Sequence, residues 1–168
     1  MVRAGIALGS NLGDRLANLR AARDCLAAIS SDPQSLHSAP IYQTEPVLCP
    51  EGSPGFYNTV IEIGTDAGPL ALLHLTQQIE RKLGRPAEAP RNAPRIIDVD
   101  LLYIGSLVFD SPELTLPHPR LALRRFVLTP LADLNPDLVL PGQSESIASL
   151  LAGLDSTEAE PGLVRRQW

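Results

Sequence analysis

The ten residues IIDVDLLYIG (96–105) read as an interior β-strand, yet two carboxylates, Asp98 and Asp100, break the apolar run. An unpaired carboxylate in such a setting is expensive. The two-residue period of a strand puts both on one face, their backbones about 6.5–7 Å apart. Both side chains therefore reach one small volume. Like charges that close are neutralised by protons, by cationic side chains or by metal. Whether this strand carries chemistry or only ion pairs depends on what the rest of the chain brings to it.

Upstream, VRAGIALG (2–9) predicts a short apolar strand, followed by the polar turn GSNLGD (9–14). RLANLRAARDCLAAI (15–29) carries Leu16, Leu19, Cys25, Leu26 and Ile29 on one helical face, with Asp14 as the expected N-cap. SLHSAPIYQT (35–44) predicts a second, irregular strand and EPVLCPEGSPG (45–55) a loop. FYNTVIEIGT (56–65) alternates Tyr57, Thr59, Ile61 and Ile63 against Phe56, Asn58, Val60 and Glu62, a third strand. AGPLALLHLTQQIERKLG (67–84) is an amphipathic helix ended by Gly84. The prolines of RPAEAPRNAP (85–94) exclude helix and central strand, so 95–104 is the fourth strand. The order βαββαβ predicts an α/β (α+β) ferredoxin-like sandwich, two helices over one face of a four-stranded antiparallel sheet, with C-terminal additions. In those additions, FVLTPLADLNPDLVLPG (126–142) predicts a short helix and an edge strand or hairpin, and SIASLLAGL (146–154) a short helix. Residues 155–168 read as a tail or wrapped segment pinned by Trp168, within one domain spanning 1–168.

Composition narrows the function classes. Hydrophobic content of 44% and charged content of 20% give a soluble globular chain. Cys25 and Cys49 make neither a disulfide framework nor a metal-ligand pair. No apolar run approaches the length of a membrane span, and MVRAGIALGS turns polar too soon for a secretory signal, so the expected compartment is the cytoplasm. The net charge of −5 argues against bulk nucleic-acid binding. It is unevenly distributed: residues 81–125 hold eight of the fourteen basic residues and five of the nineteen acidic ones. Such separation focuses an anion toward one region.

Asp98 and Asp100, with oxygen donors and no Cys–His set nearby, suit a hard cation such as Mg²⁺. Arg85, Arg91 and Arg95 precede the strand, and Arg120, Arg124 and Arg125 follow it. Guanidinium forks match phosphate oxygens, and Lys82 is the only lysine, so arginine must do any cationic phosphate work. A metal-bound polyphosphate site and plain aspartate–arginine pairing both satisfy this pattern. His118, in LPHPR, is open as ligand, phosphate contact or turn packing; His37 and His74 read as structural. GSNLG lacks the P-loop lysine.

The segments GSNLGDRLANL, IYQTEP, GFYN, QIERKLGR, APRIIDVDLLYIG, LTLPHPRL and RRFVLTPL, in that order, resemble the 6-hydroxymethyl-7,8-dihydropterin pyrophosphokinase family of folate biosynthesis. The resemblance implies a ferredoxin-like fold and transfer of the β,γ-pyrophosphoryl group of ATP to the pterin hydroxymethyl oxygen, leaving AMP. It implies two Mg²⁺ ions held by Asp98 and Asp100, and Arg85 and Arg95 as catalytic arginines. Gln77, Glu80, Arg91, Leu114, Thr115, His118 and Arg124 fall at nucleotide-binding positions, and Thr44, Phe56, Asn58 and Phe126 at pterin-binding ones. The partners it implies are ATP and 6-hydroxymethyl-7,8-dihydropterin, with no nucleic acid and no membrane, for a chain read as a monomer.

The loop RPAEAPRNAPR departs from the family pattern. Ala87 stands where a second arginine is frequent, Asn92 where tryptophan is, and Ala93 where glycine is. Altered loop closure is the expectation from these changes. The rival enzyme class is a nucleotidyl cyclase or polymerase-like domain, which also sets two aspartates on such a sheet but forms a phosphodiester. The rival binding class is an RNA-recognition module, whose aromatic signature the chain lacks.

Overall fold

Strand β1 (Val2–Ser10) is the spine of the sheet in the computed structural model, which describes residues 1–45, 51–52, 55–88, 90, 93–155 and 157–168. It pairs antiparallel with β4 (Phe56–Thr65) on one side and β5 (Asp98–Ile104) on the other. The second strand is interrupted: β2 (His37–Ser38) and β3 (Ile41–Thr44) flank Pro40, which has no N–H to donate. Both pair antiparallel with β4. Counting β2 and β3 as one broken strand, the order 4-1-3-2 is that of the expected ferredoxin-like sheet.

Helices α1 (Arg15–Ile29) and α2 (Pro69–Lys82) cover one face. Asp14 caps α1, accepting from Ala17 N–H, as its sequence position predicts. Ile6, Leu8, Ile61, Ile63, Val99 and Leu101 project from the strands into this layer against Leu19, Leu26, Leu72 and Ile79. The other face is covered by α3 (Arg125–Leu134) and α4 (Ile147–Ala152), whose Val127, Leu128, Leu131 and Ile147 pack on Val60, Leu102 and Tyr103.

The C-terminal half differs from its sequence reading in three ways. After α3, residues 135–146 hold turns and no strand. A small hairpin, β6 (Phe109–Asp110) with β7 (Thr115–Leu116), stands between β5 and α3. The segment read as a tail contains an edge strand, β8 (Gly162–Arg165), paired antiparallel with β3. Trp168 does pin this end: its Nε1–H donates to Ala39 O at 2.8 Å and the Arg23 guanidinium lies 4.9 Å from its ring.

Two packing features tie the strands together. Between Gly5 and Ile6 the β1–β5 register slips, so that Ile6 faces Leu101 and Gly5 faces Tyr103, with Leu102 as the extra, bulged residue. A Cβ on Gly5 would lie 2.2 Å from the Tyr103 ring. Gly5→Ala is therefore expected to destabilise the fold by about 1–3 kcal/mol through overpacking, measurable as a lower urea midpoint at unchanged slope. Beside that ring, the buried Glu62 carboxylate accepts from the Tyr103 hydroxyl, from Asn135 Nδ2 at 3.3 Å and from Arg3 Nη2 at 3.1 Å. One carboxylate thus joins β1, β4, β5 and the C-terminal end of α3.

Candidate active site

The register of three strands builds the site on the sheet face opposite α1 and α2. Asp98 faces Gly9, which faces Asn58; one row away, Asp100 faces Ala7, which faces Val60. The small residues on β1 leave a trough between the carboxylates and β4. A Cβ on Gly9 would lie 3.1 Å from Asn58 Oδ1 and 3.5 Å from the Phe56 ring. A cleft of about 730 Å³ opens there, with Asp98 and Asp100 at its floor and Arg95, Arg120, Arg124 and His118 around it.

The electrostatics oppose two strong effects. Burial, then the neighbouring Asp100 charge, raises the Asp98 carboxyl above its ordinary range, against the pull of Arg95 and Arg85. Asp98 Oδ1 accepts from Arg95 Nη1 at 2.9 Å and Arg85 Nη1 at 3.1 Å. Burial likewise raises Asp100, against Arg124, Arg85, Arg95 and Arg120. Asp100 is nonetheless solvent-exposed by area. A carboxylate closely surrounded by protein but open above is the floor of a cleft, and the exposed area is what a ligand would meet.

These carboxylates fit a hard divalent cation. Among the described residues no cluster of three or more His, Cys, Asp or Glu side chains is poised for a metal. Mg²⁺, however, takes one or two protein carboxylates and fills its shell with water and phosphate oxygens. Two aspartates with raised proton affinity, side by side over glycine and alanine, supply that donor set and the room above it.

His118 is mounted on the same strand: its N–H donates to Leu102 O at 2.7 Å. Its Nδ1 accepts from Arg120 N–H at 3.1 Å, so the neutral ring carries its proton on Nε2, a donor suited to phosphate oxygen. Burial, then the charges of Arg124 and Arg120, push the imidazole down to about 4. The unfolded chain takes up this proton near pH ~6.5, whereas the folded chain does so only near 4. The stability this group contributes is complete above pH ~6.5 and is lost as pH falls through 4. His118→Gln should flatten that acid limb relative to the parent chain, read from urea midpoints across the interval.

The opposite end of the cleft is aromatic. Phe56 and Phe126 both border it, with the Arg124 guanidinium 5.5 Å from the Phe126 ring. Asn58 is buried; its Nδ2 donates to Thr44 Oγ1 at 2.6 Å, which leaves its Oδ1 on the Gly9 side. Thr44, Phe56, Asn58, Arg95, Asp98, Asp100, His118, Arg124 and Phe126 are thus brought to one cleft.

Other residues named from the sequence stand apart from that surface. Arg85 reaches Asp98 from outside the lining. Glu80 is buried, its Oε1 accepting from Val99 N–H at 2.8 Å and its Oε2 2.7 Å from Arg85 Nη1. Gln77 is exposed on α2. Leu114 packs toward the α1–α2 layer and Thr115 Oγ1 donates to Asp110 at 3.1 Å. Arg91 lies outside the described residues. Sequence reasoning did not assign site roles to Arg120, whose clue was its place in the basic cluster, or to Thr157, Glu158, Ala159 and Pro161, which border the cleft just before β8. Nothing in the local pattern of those four points there.

Comparison with known proteins agrees with this geometry. Residues 5–136 match the family model of 7,8-dihydro-6-hydroxymethylpterin-pyrophosphokinase (HPPK). The chain is 38% identical over 162 residues to a 2-amino-4-hydroxy-6-hydroxymethyldihydropteridine pyrophosphokinase of Pseudomonas aeruginosa, covering 95% of this chain and 98% of that protein. It is 44% identical over 131 residues to the Bacillus subtilis protein of the same name, covering 78% and 77%. A solved HPPK-DHPS structure in complex with substrates superposes with a TM-score of 0.68 at 14% identity, a likeness of fold. It covers 90% of this chain, which spans 43% of that longer one.

Proposed function

The chain belongs to the 7,8-dihydro-6-hydroxymethylpterin-pyrophosphokinase family and is an ATP-dependent enzyme of folate biosynthesis, and we propose that the cleft over Asp98 and Asp100 is where it transfers pyrophosphate from ATP to 6-hydroxymethyl-7,8-dihydropterin. The observation that carries this reading is the three-strand register, which sets the paired carboxylates beside the Phe56–Asn58 end of β4. Phosphate chemistry and a planar heterocycle thereby share one trough.

In this reading Asp98 and Asp100 hold two Mg²⁺ ions. Bound there, the metal would supply neutralisation of phosphate charge and a Lewis acid for the hydroxyl. Arg95, Arg124 and Arg85 hold the phosphates and stabilise charge as it shifts, with His118 donating from Nε2. Phe56 and Phe126 stack on the pterin, and Asn58 Oδ1 accepts from its N–H edge. A new bond forms from the hydroxymethyl oxygen to the β-phosphorus while the bond from that phosphorus to the α–β bridging oxygen breaks, and AMP leaves. The hydroxyl proton passes to solvent; no side chain is assigned as base. Gln77, Leu114 and Thr115 lie toward the adenosine end in this assignment, and Arg91 joins the phosphate arginines.

The proposal takes one copy of the chain as the catalytic unit, the described lining of the cleft coming from β1, β3, β4, β5 and the segments around α3 and β8. The acidic total argues against bulk nucleic-acid binding, the basic stretch 81–125 suits a small phosphorylated partner, and ATP as co-substrate supports the cytoplasm. Among the described residues no helix is long and apolar enough to cross a membrane. The test is incubation with MgATP and the hydroxymethyl pterin, following nucleotide and pterin products together. Equal yields of AMP and pterin diphosphate are expected. ADP with a pterin monophosphate, or cyclic nucleotide, would overturn the reading.

A further inference from the structure

The turn between β1 and α1 holds one residue from each of the chain segments that lead into β4 and β5. Asn11, fully buried, binds Arg95 through both main-chain groups: Asn11 N–H donates to Arg95 O at 3.1 Å, and Arg95 N–H donates to Asn11 Oδ1 at 2.7 Å. Arg15, at the other end of the same turn, donates from Nη1 to Gly55 O at 2.8 Å and sets its guanidinium 4.0 Å from the Tyr57 ring centroid. Arg95 lies three residues before Asp98, the first residue of β5, and Gly55 directly precedes Phe56, the first residue of β4. The turn is itself braced, because Asn18 Nδ2 donates to Ser10 Oγ at 3.1 Å and to Leu12 O at 2.8 Å.

We propose that this turn is a two-sided clamp for catalysis, in which Asn11 positions the phosphate-side pair Arg95–Asp98 and Arg15 positions the pterin-side pair Phe56–Asn58. Neither side chain borders the cleft, so both act through the residues they hold. Pinning Arg95 at its N–H and its carbonyl fixes the peptide planes on both sides of it. Its Nη1 then meets Asp98 at 2.9 Å from a fixed origin. The buried Nδ2 of Asn11 has no hydrogen-bond partner among the described residues. An idle buried donor is costly, and an apolar residue of the same size avoids that cost. What such a residue lacks is the acceptor for Arg95 N–H, and that acceptor is what the amide contributes. Arg15 works differently: its guanidinium donates to the residue before Phe56 while its face lies on the residue after it. The two arms end on different loops and therefore on different substrates.

The inference rests on the active-site reading above, and kinetics separate the two. Asn11→Ala should lower kcat/KM for MgATP by about 10- to 100-fold, a misplacement effect, with the KM for the pterin unchanged. Arg15→Met keeps an apolar stem over Tyr57 but loses the donor; it should raise the KM for the pterin and leave that for MgATP unchanged. Asn11→Asp, which keeps the acceptor, should recover most of the Asn11→Ala loss. It also carries the phosphate arm should Asn11→Ala fail to fold. In an Arg95→Ala background, Asn11→Ala should add no further loss. Equal effects of both variants on both substrates, full additivity with Arg95→Ala, or parental kinetics throughout would each overturn the clamp. Asp98→Ala with full turnover would instead overturn the active-site reading; an inactive Asp98→Ala beside parental clamp variants would sink the clamp alone.

Discussion

Asp98→Ala and Asp100→Ala are each expected to reduce pyrophosphoryl transfer by about 10³-fold or more, while circular dichroism and the unfolding midpoint should stay close to those of the parent chain. The reason for the loss is that each substitution removes one of the two carboxylates at the floor of the cleft, and with it the anchor proposed for the metal. The reason for a retained fold is local. Neither aspartate packs in an apolar layer; Asp100 faces Ala7 and Asp98 faces Gly9, and burial raises both carboxyls, with the Asp100 charge adding to the rise at Asp98. Asp98→Ala removes one contact each from Arg85 and Arg95; Arg85 keeps its 2.7 Å contact with Glu80, and both guanidinium groups are partly open to water. Asp98→Asn and Asp100→Asn keep the shape and lose the charge, so they should match the alanine variants in turnover. Mg²⁺ titration completes the measurement: the variants should need far more Mg²⁺ or never saturate. Full turnover in both alanine variants would falsify the metal-site assignment.

Glu62→Ala carries the largest expected loss of stability, about 3–5 kcal/mol, because a buried partner is removed from a set of groups that all depend on it. The Tyr103 hydroxyl loses its acceptor inside the α3 layer, Asn135 Nδ2 loses its own, and Arg3 loses its counter-ion. The corresponding drop in Tm is about 6–20 °C for a chain of this size. The Tyr103 hydroxyl makes a second reading available. Burial, then the Glu62 charge, raises it above the ordinary tyrosine range, and the variant removes that second contribution. Tyr103→Phe should recover part of the stability in the Glu62→Ala background, since it deletes the stranded hydroxyl. Equal midpoints for the single and double variants would count against the network.

The contrast between these two sites explains what the sequence disclosed. Alternation made Asp98 and Asp100 legible as sharing a face, and set Phe56 with Asn58; that the two pairs meet was implied only by the family resemblance, because it depends on the register of β1 between them. Asp14 was legible as a cap because capping is local. Glu80 was not legible in its contacts: its position on α2 follows from helical period, but its turn toward Val99 N–H depends on how α2 packs against β5. Strand β8 escaped for a related reason. Four exposed residues have no buried face to impose a pattern, and only the open edge of β3 makes them a strand. Arg91 falls outside the described residues, so its part stays a proposal.

The bulge at Leu102 has a mechanical consequence. An edge strand normally wastes the hydrogen-bonding groups on its outer side, yet Leu102 O receives the N–H of His118. The carboxylates and the imidazole therefore hang from one stiff rod, two residues apart along it. Thermal movement of the hairpin Phe109–Leu116 can slacken the connection between them in chain order without altering their spacing in the cleft. Insertion or loss of a residue in that connection is therefore expected to leave the placement of His118 beside Asp100 unchanged.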